Sequence, residues 1–539
     1  MTQNDENALF GNKLGVVVSG SLTHGIDVKM EGAASVEDMA VGRYVTIKGQ
    51  KRRFFGMITD VTLGVVDEQI NVSPADASDS FLSEVLAGTS TFGTLHILPM
   101  LTIGEAADGP QPVKTVPSHF SEVKEATQSD VEMIFGTEDE KKFYIGTPLD
   151  METKICMDLQ EFAKRSNGIF GKSGTGKTFF TRQLLIGMLQ KSQAVNLVFD
   201  MQNEYGWKGL DERGKDVKGL KQLFPSSVAV FALDEEHTRQ TGLAPDFMVK
   251  IGYDEIEPED VVSLRQTLGL TDPAVEAVYQ LHRRFGPTWL KDVLDLQDSE
   301  EIKELLGRLN IHESTFMNLR RGLGVIRRLP FIVSHSQSNA VDSMLGYIEK
   351  GMNIVLQFGR FRDITTYVFV ANMLTRRIYT RYQEKSERAM DQKSKPRPLV
   401  ITIEEAHKFL NPEVAEQTIF GTIAREMRKY NVTLLIIDQR PSGIDEEVMS
   451  QLGTKIAFLL DNEKDVDNVL SGASGKNELK AVLSKLEPKQ QALIFGHALP
   501  MPVVVRTREY GSAESYANFG SIGSADAKKV EKDIEDLWK

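Results

Sequence analysis

An octapeptide in the first third of the chain combines glycines, a lysine and a hydroxyl residue at a spacing that suits phosphate binding. It reads Gly171-Lys-Ser-Gly-Thr-Gly-Lys-Thr178 and matches G-x-x-x-x-G-K-[ST] at every fixed position. The glycines would let backbone N–H groups approach phosphate oxygens, Lys177 would reach the β- and γ-phosphates, and Thr178 would hold Mg²⁺. The predicted nucleotide-binding residues of this loop are Gly171, Ser173, Gly174, Thr175, Gly176, Lys177, Thr178 and Phe179.

Two carboxylates at the end of an apolar run far downstream could complete a hydrolytic site. The run from Leu399 to Ile403 is followed by Glu404 and Glu405. At such a strand end Glu404 would hold Mg²⁺ through water, and Glu405 would polarise the attacking water. Paired acids after a strand are also common at ordinary surfaces, so the functional interpretation depends on their combination with the phosphate loop.

Polar residues also follow two other apolar runs. Asp200 and Glu204 come after Val195 to Phe199, and Gln439 comes shortly after Val432 to Ile437. In doubly wound sheets, ligand groups gather at the carboxyl ends of the strands. We therefore expect Asp200 and Glu204 near the Mg²⁺ or the nucleotide. Gln439 is expected to sense the γ-phosphate or to orient water.

These residues require an α/β fold with further segments attached to it. The phosphate loop lies between a short apolar run and a helical pattern, and far more residues separate Lys177 from Glu405 than a strand–helix core requires. The charged helical pattern between them predicts a helical insertion. The expected divisions are a small barrel or sandwich of short strands over 1–103, a linker over 104–141, the first part of the nucleotide-binding core over 142–256, the helical insertion over 257–340, the second part of the core over 341–510, and a mobile tail with a short helix over 511–539.

The composition narrows the class of protein. With 41% hydrophobic and 26% charged residues it is typical of a soluble globular protein, and its single cysteine, Cys156, excludes a disulfide framework. His407 has no second ligand-like neighbour at metal spacing and is interpreted as structural. The N-terminus does not resemble a signal peptide, and no apolar run approaches the roughly 20 residues of a membrane span. A cytoplasmic location without membrane attachment is therefore expected.

The net charge of −13 argues against a surface that is basic throughout. It still permits a local basic surface. Arginine pairs such as Arg52-Arg53 are interpreted as solvated or ion-paired surface residues.

Five motifs in a fixed order give the chain a resemblance to a known family. They are Gly171 to Thr178, Asp200 to Gly206, Ile403 to His407, Ile423 to Lys429 and Asp438 to Pro441. In this order they resemble the HerA-type ATPases, which belong to the FtsK/HerA group of hexameric DNA-translocating motors. The resemblance implies an α/β fold with a RecA-like P-loop core, a helical insertion in that core and a small N-terminal β-barrel. It also implies ATP and Mg²⁺ as cofactors.

The same resemblance implies partners and further site residues. It implies a homohexamer with ATP held between subunits, double-stranded DNA in the ring, and a nuclease of the NurA type or another effector as partner. Arginines of the family reach the γ-phosphate, and Arg165, Arg425 and Arg428 match their positions. Met427 stands where a glycine is common, so the choice of arginine finger between Arg425 and Arg428 stays open.

Two functions fit these motifs best; a third, a pump for protein at a secretion pore, fits less well because nothing in the sequence suggests membrane attachment. The first is an ATP-driven translocase or helicase of double-stranded DNA that works with a nuclease in DNA end processing or phage defence. The alternative is a ring scaffold that assembles and regulates an effector nuclease or another toxic enzyme, without processive movement on DNA. Both hydrolyse ATP, so only a measurement of movement on DNA separates them.

Overall fold

The computed structural model of the chain describes residues 11–31, 35–65, 91–104, 109–210, 214, 216–336, 339–389, 395–416, 418–426 and 429–519. The part of the expected tail after residue 519 lies outside these residues, as does Arg428. The chain divides into two compact units, which we call the barrel unit and the core unit. The barrel unit contains Met1–Phe162, Ile169–Phe180 and Gly453–Arg508, and the core unit contains Ala163–Gly168, Thr181–Leu452 and Glu509–Lys539.

The barrel unit begins with a closed six-stranded barrel, as the sequence predicts. The order around it is β2-β1-β7-β3-β4-β5, closed by pairing of β2 with β5, and β6 pairs with β5 outside this circuit. Alternate residues point inwards, so Val28, Val45 and Ile47 are fully buried. The strands are β1 (Lys13–Ser21), β2 (Gly25–Met30), β3 (Tyr44–Lys48), β4 (Arg53–Val65), β5 (Thr91–Ile103), β6 (Gln111–Pro112) and β7 (Glu122–Glu125).

Residues 109–141, which belong to the segment expected to be a linker, are folded, and the expected barrel boundary at residue 103 was wrong. β7 pairs antiparallel with both β1 and β3 and is one of the six barrel strands. Val123 is fully buried, whereas its neighbours Glu122 and Lys124 are partly exposed. β7 has only four residues, and those on its outer face are charged. So short a segment shows no alternation of apolar residues from which a strand could be predicted. A helix follows at Gln128–Phe135, with a capping box formed by Thr127.

An antiparallel sheet forms a second part of the barrel unit, which also contains the segment Ile169–Phe180. In this sheet, residues 453–508 are joined to residues 142–158, because the strand Val503–Thr507 pairs with the strand Lys142–Thr147. The sequence predicts that residues 341–510 all belong to the nucleotide-binding core, but residues 453–508 make their contacts within the barrel unit. The apolar runs do not indicate which distant strand each of them pairs with, so this antiparallel pairing could not be predicted from the sequence. The strands in order are Thr454–Ala457, Gln491–Gly496, Val503–Thr507, Lys142–Thr147 and Ile155–Asp158, and the helices of this part are Glu463–Val469 and Lys476–Ser484.

The core unit contains a parallel sheet whose strands are buried on both faces. Every residue of Val195–Asp200 and of Val432–Asp438 is buried, which matches their continuous apolar character. Parallel pairing places the carboxyl ends of these strands at one edge. The strands in order are Phe247–Met248, Val228–Ala232, Asn353–Gln357, Val195–Asp200, Leu399–Glu404 and Val432–Asp438. The helices around them are Leu220–Leu223, Glu235–Thr241, Ile364–Arg388, His407–Leu410, Ile419–Glu426, Glu446–Gln451 and Ala513–Asn518.

Helices fill the segment expected as an insertion. Their core includes Trp289, which is fully buried and donates its indole N–H to the Ile256 carbonyl at 2.9 Å. The short strand Ile251–Gly252 pairs with Ile332–Val333 and brings the two ends of the helical segment together. The helices are Pro258–Val262, Arg265–Leu268, Asp272–Phe285, Trp289–Asp295, Ser299–Leu309, Glu313–Arg327 and Ala340–Glu349. Within the described residues, no helix is both long and apolar enough to cross a membrane.

Candidate functional site

The phosphate loop connects a buried strand to a long helix. The strand Asn167–Phe170 is fully buried, and the helix begins at Lys177 and continues to Gln190. Gly171 has a φ of 155° and Gly174 has a φ of 77°, values that residues with a side chain rarely adopt. A Cβ atom on Gly171 would lie 2.6 Å from the Phe458 Cβ, so no side chain fits there. The glycines are therefore required by the conformation of the loop and by its packing.

Lys177 lies where the motif predicts, at the first position of the helix. Its Nζ donates to the Gly171 carbonyl at 2.6 Å and to the Lys172 carbonyl at 2.7 Å. The Thr175 hydroxyl donates to the same Lys172 carbonyl at 2.8 Å. The ammonium group is thus held inside the loop, with Thr178 in the first helical turn beside it. A lysine held at this place can contact phosphate oxygens that the loop binds.

Asp200 organises the turn after its strand. It is fully buried and accepts backbone N–H groups of Glu204 at 2.7 Å, Tyr205 at 2.9 Å and Gly206 at 3.2 Å. Burial raises the pKa of Asp200, while these donors oppose that effect. Both carboxylate oxygens are engaged by the protein, so the geometry gives Asp200 a structural part in shaping the loop that carries Glu204.

Glu404 ends its strand among hydroxyl groups and other acids. The Tyr205 hydroxyl donates to Glu404 Oε1 at 2.9 Å, and the Glu404 backbone N–H donates to the Tyr367 hydroxyl at 3.2 Å. Burial, together with the neighbouring charges of Asp200, Glu204 and Glu405, raises the pKa of Glu404 to about 8. A nearby divalent cation would relieve this repulsion and favour the charged form. Glu404 is thus chemically suited to hold Mg²⁺ through water.

Glu405 and Gln439 come together, although 34 positions separate them in the chain. Gln439 Nε2 donates to Glu405 Oε1 at 3.3 Å. Glu405 has a φ of 51°, in the left-handed region that is unusual for a residue with a side chain. Both side chains reach solvent, so a water molecule can approach the carboxylate. The pair can therefore orient and polarise an attacking water.

His407 and Asp438 are joined by hydrogen bonds, and His407 lies next to Glu405. His407 Nδ1 lies 2.9 Å from Asp438 Oδ2, and the backbone N–H of His407 donates to the same oxygen at 2.7 Å. The hydrogen bond with Asp438 raises the pKa of His407. Burial alone would raise the pKa of Asp438, but His407 and the backbone N–H of Arg440 outweigh it and hold that pKa below its ordinary value. His407 Nδ1 also lies 3.8 Å from Glu405 Oε2.

The candidate arginines occupy different surroundings. Arg425 Nε forms an ion pair with Glu447 at 3.0 Å, and its side chain is about one-quarter exposed. Arg165 lies just before the strand of the phosphate loop, and within the described residues its buried Nε has no hydrogen-bond partner. In the part of the chain that the structure describes, neither arginine forms a hydrogen bond or ion pair with Glu405, and Arg428 lies outside that part.

Sequence reasoning did not identify the contributions of Tyr205 and His407. Tyr205 contacts Glu404 across 199 positions of the chain, a separation that no local pattern encodes. His407 lies two positions after Glu405, but one histidine without a second metal ligand gave no reason to assign it a role. The available signal was its place in the motif Ile403 to His407.

Two family models match this chain. The model described as the central domain of helicase HerA matches residues 143–378, and the HAS barrel domain matches residues 14–109. A DNA double-strand break repair helicase HerA of Pyrococcus furiosus is 24% identical over 75% of this chain and 76% of its own length. That of Sulfurisphaera tokodaii is 22% identical over 98% of this chain and 96% of its own length.

A solved structure with a similar fold is the bacterial conjugative coupling protein TrwBdeltaN70. It has a TM-score of 0.46 and 11% identity, over 72% of this chain and 93% of its own.

The phosphate loop and the acidic ends of parallel strands define the class of protein. A chain with this loop, a paired Glu404–Glu405 strand end and a glutamine at the end of the next strand is a P-loop ATPase of the helicase type. Within that class the matches are more specific. The chain is similar to the HerA helicases over both of its matched segments, residues 14–109 and 143–378.

Proposed function

We propose that the chain is an ATP-driven translocase and helicase of double-stranded DNA. It works as a homohexamer with a nuclease of the NurA type, or another nuclease, in DNA end processing or phage defence. The observation that carries the proposal is the Glu405–Gln439 pair, at 3.3 Å, in a chain whose phosphate loop encloses the Lys177 ammonium group. The names of the HerA relatives, which describe DNA break repair helicases, support DNA as the substrate.

The loop residues bind the triphosphate in this proposal. Backbone N–H groups from Gly171 to Thr178 and the positive end of the helix dipole bind the phosphate oxygens. Lys177 neutralises charge on the β- and γ-phosphates. Ser173, Thr175 and Phe179 complete the nucleotide-binding surface, to which Glu204 contributes from the turn organised by Asp200.

The hydrolytic residues act on water. Glu405 accepts a proton from the attacking water, and Gln439 fixes the position of both the water and the carboxylate. Thr178 and Glu404 would supply the oxygen ligands that Mg²⁺ prefers, Glu404 through water, and Mg²⁺ held there would supply neutralisation of phosphate charge. The proximity of other acids to Glu404 fits a cation at this position.

The arginines have roles that depend on a neighbouring subunit. Arg425 is proposed to exchange its partner Glu447, which is well exposed, for the γ-phosphate of nucleotide bound by an adjacent chain. Arg428 is the other candidate for that finger, and Arg165 is proposed to contact the nucleotide with its buried Nε. An arginine finger contributes on the order of 10³–10⁵ to turnover.

Substitution of two residues tests the ATPase part of the proposal. Lys177→Ala removes charge neutralisation, and Glu405→Gln removes the general base while preserving the shape of the side chain. We expect either variant to lose nearly all steady-state ATP hydrolysis while the size of the assembly, measured by light scattering, is unchanged. Glu416→Gln, at an exposed glutamate of the unit that contains Glu405, is the control and should hydrolyse ATP normally. Full hydrolysis by either site variant would contradict the proposal.

The alternative, a ring scaffold that regulates an effector nuclease or other toxic enzyme, differs in movement and not in hydrolysis. Displacement of a triplex-forming strand from duplex DNA, with and without the partner protein, distinguishes the two. Intact ATPase activity without displacement in either condition would favour the scaffold.

A further inference from the structure

A basic turn lies at one end of the barrel. β3 and β4 are joined by Gly49-Gln-Lys-Arg52, and Lys48 pairs with Arg53 across the hairpin. Lys48, Lys51 and Arg52 are exposed, and none of them forms an ion pair with another described residue. The backbone N–H of Gly49 donates to the Arg52 carbonyl at 3.0 Å, which keeps the turn tight and presents the three cations together.

The turn borders a cleft of about 520 Å³ on the outside of the barrel. Lys124 of β7 lies opposite Thr46 of β3 in this cleft, because the two strands pair directly. Val123, which precedes Lys124 in β7, is fully buried and faces the core. The hydroxyl residues Thr46 and Thr127 line the same cleft. The surface thus combines ammonium and guanidinium groups with the hydroxyl of Thr46, whereas the Thr127 hydroxyl donates to Asp130.

The charge of the cleft is opposite to that of the whole chain. Among the described residues, five cations and two carboxylates line it, an excess of three positive charges in a chain with a net charge of −13. One carboxylate, Asp130, is buried and engaged by Arg53 at 2.7 Å and by the hydroxyl of Thr127 at 2.8 Å. The other, Glu122, lies 3.9 Å from Lys124. The exposed cations at the turn are therefore available to an external anion.

The lining chemistry selects the kind of anion. Ile103 is the one large apolar residue among the described residues of the lining, and no aromatic side chain is present. Protein interfaces are anchored by aromatic and apolar residues, and sites for single strands use aromatic residues for stacking. Cations with hydroxyl donors instead match phosphate groups whose bases stay paired.

We propose that the basic turn Lys48 to Arg53, with Lys124, binds the phosphate backbone of double-stranded DNA. The choice of DNA rests on the proposed translocase function. The contact itself lies in the barrel unit, contains none of the proposed ATP-site residues and gives no base specificity. It would hold the duplex at the barrel independently of the nucleotide state.

The test is the salt dependence of binding to a short fluorescein-labelled duplex, measured by anisotropy with the full-length protein. The variant Lys48→Gln/Lys51→Gln/Arg52→Gln removes three exposed cations and leaves Arg53, which supports the buried Asp130. We expect its affinity to fall at least about tenfold and its slope of log K against log salt to fall by about 2 to 3. ATP hydrolysis without DNA and the thermal melting temperature should be unchanged.

The control removes the same charge from the same unit. Lys464→Gln/Lys476→Gln/Lys485→Gln should retain wild-type affinity and slope. Binding of poly-glutamate by the same proteins serves as the protein-like comparison. Unchanged DNA binding by the turn variant would overturn the inference, and if poly-glutamate binding alone were lost, the surface would belong to an acidic protein. Failure of the wild type itself to bind duplex DNA would contradict the proposed function as well.

Discussion

At the scale of single residues, the conformation of Glu405 is the feature that most needs explanation. A left-handed backbone at a residue with a side chain costs about 1–3 kcal/mol and persists where neighbouring groups fix it. Here the following residue, Ala406, donates its backbone N–H to Ile437 at 3.3 Å, and that of His407 donates to Asp438 at 2.7 Å. The chain after Glu405 is thus held by the adjacent strand, which directs the carboxylate towards Gln439.

Removing the His407 side chain should reduce the chemical step more than nucleotide binding. His407→Ala deletes the contact with Asp438 and lets Glu405 move, and a misplacement of about 1 Å can cost up to about 100-fold in rate. We expect kcat for ATP to fall by that order while KM changes little. His497→Ala, at an exposed histidine, is the control. An unchanged kcat in steady-state assays would show that His407 has no positioning role.

The raised pKa of Glu404 predicts a pH-dependent stability. An acid with a pKa of about 8 in the folded protein and about 4.5 when unfolded binds its proton more tightly in the folded state. In Mg²⁺-free buffer its effect therefore destabilises the fold progressively as pH rises from about 4.5 to about 8. Glu404→Gln removes this cost, so it should raise the melting temperature more at pH 8.5 than at pH 5.5.

Thermal melts at these two pH values, followed by circular dichroism, provide the measurement. Each 1 kcal/mol corresponds to about 2–4 °C for a unit of this size. Glu416→Gln should change neither melt. A larger gain at the lower pH would mean that Glu404 is not the group responsible.

At the scale of elements, the phosphate loop depends on two glycines for different reasons. Gly171 packs against Phe458, which would contact any added Cβ, whereas a Cβ on Gly174 would meet no atom within 4 Å. Gly171→Ala should therefore destabilise the nucleotide-free protein by about 1–3 kcal/mol through overpacking, in addition to its backbone strain. Gly174→Ala should incur only the backbone cost of about 1–2 kcal/mol. Denaturant melts of both variants make the comparison, and equal destabilisation would contradict it.

Elements with a complete local pattern could be predicted from sequence. The glycine spacing placed the phosphate loop, and the uninterrupted apolar runs placed Val195–Asp200 and Val432–Asp438 as buried strands. β7 could not be predicted, because its single buried residue, Val123, lies between charged neighbours. The contact of Tyr205 with Glu404 depends on which strands lie side by side, and local periodicity does not specify that order.

At the scale of the whole molecule, the fold class was predicted correctly, and the division of the chain was not. The barrel, the parallel sheet and the P-loop all have sequence signals of their own. The association of residues 453–508 with residues 142–158 arises from the antiparallel pairing of Val503–Thr507 with Lys142–Thr147. That pairing depends on hydrogen bonds between strands more than 300 positions apart, for which a single sequence offers no register signal. The proposed hexamer, its DNA and its nuclease stay predictions.

Movement along duplex DNA is the central claim, and triplex displacement tests it most directly. A labelled third strand on a linear duplex is released when a translocase passes, and the release is followed by gel or fluorescence with ATP and Mg²⁺ present. We expect the wild-type protein with its nuclease partner to displace the strand, and Glu405→Gln to bind the duplex without displacing it. Wild-type protein that hydrolyses ATP but leaves the third strand in place, with or without its partner, would contradict the account.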